Sequence, residues 1–258
     1  MKKKWKYLEL IMFGIILGVL IFTKKETRKE ENNKEITEKE KVKIKKAKAG
    51  KDTLKNERKE VDPEKKILLE ENSFTSNKID KKIRERILGK SYQENTAISL
   101  NQLRYIKVLY CDFNGEIKEG ELIVHESIAE DVIEIFRELY KKKYPIEKMV
   151  LIDEYDGDDN ASMADNNTSC FNYRKISNSQ NLSKHSLGLA IDINPLYNPC
   201  VKKGEVQPEE GKLYENRSLN CKYYIDEEDL CCKLFKKYGF TWGGDWNSLK
   251  DYQHFEKK

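Results

Sequence analysis

The sequence predicts an α+β domain over residues 74–258, with a small, mostly antiparallel sheet flanked by helices. Three observations predict it. Short apolar runs of strand character alternate irregularly with amphipathic helical stretches. No strand-helix-strand unit with a glycine-rich phosphate loop recurs, which argues against a doubly wound parallel sheet. Nearly all the aromatics, cysteines and glycines fall in this part of the chain, whereas the first third is dominated by Lys, Glu, Asn and Arg. The charged fraction of 36% is high for a packed chain, so part of the protein is expected to stay unfolded.

The elements follow in order. Ile79 to Leu88 has helical spacing. Leu103 to Tyr110 and Gly120 to Val124 form two strands around Asn114-Gly115, a dipeptide that favours hairpins because its residues tolerate positive φ. Ser127-Ile128-Ala129-Glu130 fits a capping box, after which Ala129, Val132, Ile133, Phe136, Leu139 and Tyr140 recur on one helical face. Met149 to Ile152 is a short apolar strand. Leu230, Cys231, Leu234, Phe235 and Tyr238 mark a second amphipathic helix stopped by Gly239.

Ahead of this domain, Leu8 to Phe22 is apolar apart from Glu9 and follows Lys2, Lys3, Lys4 and Lys6. The run ends at Thr23-Lys24-Lys25 rather than at small residues, and no Cys follows for lipid attachment, so residues 1–23 are expected to form an uncleaved transmembrane anchor. Residues 24–73 alternate Lys and Glu without a sustained apolar stripe and are expected to be a disordered stalk. The large C-terminal part favours its own translocation, leaving a single-pass membrane protein with its domain outside the cytoplasm.

The formal charge of +4 is the difference between 49 basic and 45 acidic residues. No basic stripe with interleaved aromatics lies in the folded part, so nucleic acid is not an expected partner. Six cysteines would suit disulfides outside the cell, and both bridges and free thiols remain open.

The segment Ser183-Lys184-His185-Ser186-Leu187-Gly188-Leu189-Ala190-Ile191-Asp192-Ile193-Asn194 carries the chemistry. As a strand, Gly188 to Ile193 would turn Leu189, Ile191 and Ile193 to the core and Gly188, Ala190 and Asp192 to a cleft. An odd separation puts His185 and Asp192 on opposite faces of a straight strand, so Ser186 to Gly188 must turn the chain to unite them. Of the three histidines, His254 lies in Asp251-Tyr252-Gln253-His254-Phe255-Glu256, shortly after Trp242-Gly243-Gly244-Asp245-Trp246. Two imidazoles and a carboxylate, with a fourth position open, suit one catalytic zinc ion better than a closed structural site, and a harder cation would need more oxygens.

The motif Ser183-x-His185-x-x-Gly188-x-Ala190-x-Asp192 with Asp251-x-x-His254 resembles the signature of zinc D-alanyl-D-alanine carboxypeptidases and L-alanyl-D-glutamate endopeptidases of bacterial walls. Asn172-Tyr173-Arg174, Asn194-Pro195 and the stretch from Trp246 to Glu256 extend the resemblance. It implies the hedgehog-type zinc peptidase fold, with one zinc site in a cleft. It also implies metal ligands at His185, Asp192 and His254, and Asp251 as the carboxylate that moves the proton. Arg174 is implied as the group for an oxyanion or a substrate carboxylate, with Ser183, Tyr173 and Trp246 beside the substrate. The implied partner is the stem peptide of peptidoglycan or its precursor, cut most readily at D-alanyl-D-alanine. Many carboxypeptidases of this type carry Glu at the proton-transfer position. Asp251 is shared with the endopeptidase branch, which makes the L-alanyl-D-glutamate cut the alternative. A silent module binding metal and wall peptide would have no use for Asp251.

Other residues have plainer readings. His125 lacks a ligand partner and is expected to be structural. Asp153 to Asp159 is acidic but misses the alternation of a calcium loop and is expected to be a turn. Trp242 suits packing or contact, and Glu256 could orient His254. Asp245 would compete with Asp251 as base if the chain ran extended from Tyr252 to Phe255.

Overall fold

The computed structural model describes residues 72–94, 97–176 and 179–258. The expected anchor and stalk, up to residue 71, lie outside the described residues. Among the described residues no helix is long and apolar enough to cross a membrane.

The described residues form an α+β domain with three small antiparallel sheets in place of the single sheet expected. The first joins β1 (Thr75–Lys78), β2 (Leu103–Cys111) and β3 (Ile117–His125) in sequence order. The β2–β3 hairpin turns at Asp112 to Gly115, where Gly115 takes φ of 79° and the Asp112 carboxylate accepts the N–H groups of Asn114 and Glu116. The second sheet has β4 (Ala190–Asp192), β9 (His254–Glu256) and β7 (Thr241–Trp242), with β9 central. The third has β6 (Glu205–Gln207), β5 (Cys200–Lys202) and β8 (Lys250–Asp251), with β5 central. A chain that changes direction this often cannot extend one ladder, so its strands pair in threes.

Helix α1 (Lys81–Ile87) is shorter than expected because Asp80 caps it, accepting from Ile83 N at 2.8 Å. Helix α2 (Ala129–Lys141) buries Val132, Ile133, Phe136 and Leu139, as the spacing required, together with Ile135, and packs on β1 and β2. Its start differs from the capping box. His125 Nδ1, not Ser127, caps the entry by accepting from Ser127 N at 3.1 Å, and a 3-10 turn over Glu126–Ile128 precedes the helix. His125 is therefore structural. Helix α3 (Asp159–Ala164) is one short turn, and α4 (Leu230–Lys237) buries Cys231, Cys232 and Phe235 before Gly239 reverses the chain at φ of 83°.

Met149 to Ile152 does not form the expected strand. Its backbone is satisfied by a side chain: Val150 N donates to Asn167 Oδ1 at 2.9 Å and Asn167 Nδ2 donates back to Val150 O at 3.1 Å. A fully buried amide thereby replaces a ladder. The acidic stretch that follows is a turn, as expected, with the buried Asp153 carboxylate accepting from Ser91 N and Oγ. All six cysteines are free thiols, four of them buried.

The main core lies between the first sheet, α2 and α4, and includes Ile106, Val124, Phe136, Ile191, Ile193, Phe235 and Phe255. Ile191 and Ile193 are wholly buried there, so the alternation read from the sequence holds, and Asp192 faces away from this core. The strand itself starts only at Ala190, because Gly188 has left-handed φ of 66°.

Candidate metal centre

His185 sits in a 3-10 turn over Lys184–Leu187, entered at Ser183, whose Oγ accepts from His185 N at 3.3 Å. The turn ends at Gly188, where a side chain is excluded twice over. Its φ favours glycine, and a Cβ would lie 2.6 Å from His125 N. That closeness fixes the turn to the end of β3, since His125 N donates to Gly188 O at 2.8 Å. The turn foreseen between His185 and Asp192 is this one.

Strand β4 then places Asp192 directly opposite His254 of β9 in the antiparallel register. The three side chains converge. His185 Nε2 lies 3.2 Å from Asp192 Oδ2 and 3.2 Å from His254 Nδ1, and Asp192 Oδ1 lies 3.0 Å from His254 Nδ1. All three residues are buried, and one donor atom from each lies within 4.8 Å of the others, close enough for one metal ion.

The outward nitrogens are also held. His185 Nδ1 is 2.6 Å from Cys170 O. A carbonyl only accepts, so Nδ1 donates and Nε2 is the nitrogen presented to the cluster. His254 Nε2 is 3.3 Å from Glu256 Oε2. Asp192 is bracketed by backbone bonds to Ser169 on one side, and Asn194 follows at φ of 45° with its amide bonded to Glu147 N and Pro145 O.

The electrostatics of the metal-free cluster follow from burial and pairing. Burial opposes ionisation of Asp192, yet His185 and His254 overcome it and hold the carboxyl far below its ordinary range. Burial likewise opposes a charged His254, but hydrogen bonds with Asp192 and Glu256 raise it to about 10. Glu256 is lowered by that same bond with His254. Without an ion, a protonated His254 bridges two carboxylates.

Asp251 closes β8, and a two-residue turn at Tyr252 and Gln253 separates it from His254. The turn is pinned on both sides: Trp242 Nε1 donates to Tyr252 O at 2.9 Å and Ile193 N donates to Gln253 O at 3.0 Å. Burial and the nearby Asp192 charge push Asp251 up to about 6, against the pull of His254. Its Oδ1 is buried with no hydrogen-bond partner, a proton acceptor left unsatisfied. Gly243 allows the strand to approach, for a Cβ there would meet Asp251 O at 2.5 Å. Asp245, by contrast, is exposed and paired with Lys236 at 2.9 Å.

The remaining expected residues divide. Trp246 packs its ring 5.3 Å from that of His254 and forms a wall of the centre. Ser183 serves the fold of the His185 turn. Tyr173 packs in the second core with Leu103, Tyr105 and Phe171, its N–H bonded to Ser91 O. The Arg174 guanidinium pairs with Asp159 at 2.7 Å, and its contacts do not include the cluster. Its backbone is nevertheless tied to the His185 turn, because Arg174 N donates to Ser186 Oγ at 2.8 Å. Two neighbours had no signal in the sequence: the Cys170 carbonyl, and Cys200, which faces Asp251 across β5 and β8 and whose thiol is pushed up by burial and by Asp251.

Residues 177–257 match the family model described as D-alanyl-D-alanine carboxypeptidase. No curated protein and no solved structure matches the chain. The matched segment carries His185, Asp192, Asp251 and His254, and over this segment the chain is similar to D-alanyl-D-alanine carboxypeptidases.

Proposed function

We propose that this chain is a zinc-dependent peptidase that hydrolyses the terminal D-alanyl-D-alanine amide of peptidoglycan stem peptides. The observation that carries the reading is the convergence of His185 Nε2, Asp192 and His254 Nδ1 on one buried point beside the unpartnered Asp251 Oδ1. Two imidazoles and one carboxylate are the donor set of a catalytic zinc site. When bound, zinc would supply Lewis-acid polarisation of the scissile carbonyl and lower the pKa of the attacking water.

Asp251 takes the proton as water oxygen bonds to the carbonyl carbon, and returns it to the amine nitrogen as the C–N bond breaks. Its raised affinity for a proton suits both transfers. Trp246, beside His254, excludes water from one side of the reacting group. Arg174, held by Asp159, is assigned to the terminal carboxylate of the substrate, which it would bind by sharing its fork between two carboxylates.

Asp251 also favours a second reading, the L-alanyl-D-glutamate endopeptidase, since an aspartate stands where many carboxypeptidases of this type carry a glutamate. Mass spectrometry of muropeptides digested with zinc-loaded protein separates the two. Loss of one alanine supports the carboxypeptidase, a freed stem fragment supports the endopeptidase, and neither product defeats both. The same proposal places the enzyme outside the cytoplasm, tethered by the apolar run Leu8 to Phe22, with the wall or its precursor as partner.

A further inference from the structure

We infer that Glu256 is a positioning residue that decides which nitrogen of His254 meets the metal. This rests on the zinc reading above. The two histidines of the centre are oriented differently: His185 presents Nε2 and His254 presents Nδ1. A ligating imidazole must have its other nitrogen protonated, and an acceptor there fixes both tautomer and ring orientation. For His185 that acceptor is the main-chain carbonyl of Cys170 at 2.6 Å. For His254 it is the Glu256 carboxylate at 3.3 Å, two residues along the same strand and on the same face.

Glu256 is well placed to hold a ring. Strand β9 is paired on both sides at this residue, with Ala190 of β4 and Thr241 of β7. The side chain is about three-quarters shielded. With the acceptor removed, the neutral imidazole would place its one proton on Nδ1, where Asp192 Oδ1 waits at 3.0 Å. The proton would then occupy the donor atom that a metal needs. A ring flip would put Nε2 inward instead, at a different distance from the backbone. In either case the centre keeps three side chains but loses the arrangement that binds.

The test uses the full chain and Zn2+ or Co2+ alone. Zn2+ affinity is measured by competition with a chromophoric chelator, and Co2+ geometry by its visible d–d absorption. Glu256→Ala is expected to weaken Zn2+ binding about 10–100-fold and to alter the Co2+ spectrum, in a metal-free chain whose circular dichroism shows that it still folds. Glu256→Gln, whose amide oxygen still accepts from Nε2, is expected to recover most of the affinity and the original spectrum. If the alanine variant does not fold, Glu256→Met keeps the packing and removes only the acceptor. Wild-type affinity and spectrum in the folded variant lacking the acceptor would overturn the inference. So would a loss that Glu256→Gln fails to restore, since it would trace to charge or packing. Failure of the wild-type chain to take up either metal would overturn the zinc reading itself, a result distinct from both.

Discussion

Asp192 and His254 face one another as an antiparallel pair, with Asp192 Oδ1 3.0 Å from His254 Nδ1. They lie 62 residues apart in the chain. The register of β4 on β9 thus assembles two of the three candidate ligands in one step, and the His185 turn adds the third.

Each ligand should therefore be indispensable to the metal. His185→Ala, Asp192→Ala and His254→Ala are each expected to lose bound zinc after dialysis, measured by elemental analysis. A variant with full zinc content would remove its residue from the centre.

Metal uptake should release a proton. In the metal-free chain His254 is held protonated to about 10 by Asp192 and Glu256, and its Nδ1 proton must leave before the nitrogen can bind an ion. Apparent affinity is expected to rise about tenfold per pH unit below that value, for a single displaced proton. Calorimetry of zinc binding in buffers of different ionisation enthalpy would count it, and a pH-independent affinity would contradict the bridged arrangement.

Activity and metal content should separate at Asp251. Asp251→Asn is expected to keep about one zinc while losing roughly 10²–10⁴-fold in rate, the share that proton transfer contributes. Asp245→Ala should remain active, because Asp245 spends its charge on Lys236 at the surface. The opposite pattern in parallel assays would transfer the proton-moving role to Asp245.

Gly243→Ala should reproduce part of the Asp251 defect from outside the centre. Its Cβ would fall 2.5 Å from Asp251 O and 2.8 Å from Asp251 Cβ, so the strand must shift at a cost of roughly 1–3 kcal/mol. Reduced turnover with retained zinc is the expected result, and unchanged kinetics would show that Asp251 tolerates displacement.

What the sequence disclosed depended on how local the information was. Period-two alternation put Ile191 and Ile193 in the core and turned Asp192 away from it, because a strand's facing is written in its neighbours. The odd spacing from His185 required a turn, and Gly188 supplied it. Met149 to Ile152 is no strand because apolar residues do not reveal that an amide 17 residues on in the sequence will satisfy the backbone. The division into three sheets, the Cys200–Asp251 pairing and the cap by His125 all depend on long-range register or on a single side-chain bond. Neither leaves a pattern in composition. The Arg174–Asp159 pair was hidden for the same reason.

The bond from His185 Nδ1 to Cys170 O joins the centre to a part of the chain that the family match does not cover. So does the bond from His125 N to Gly188 O. Residues 177–257 hold every candidate ligand, yet the groups that orient the first of them belong to the hairpin and loops before it. As an engineering unit, then, the matched segment is not a cassette. Grafted onto another scaffold or expressed alone, it would carry the chemistry's letters without the grammar that orders them, and the minimal transferable piece must begin no later than the first sheet.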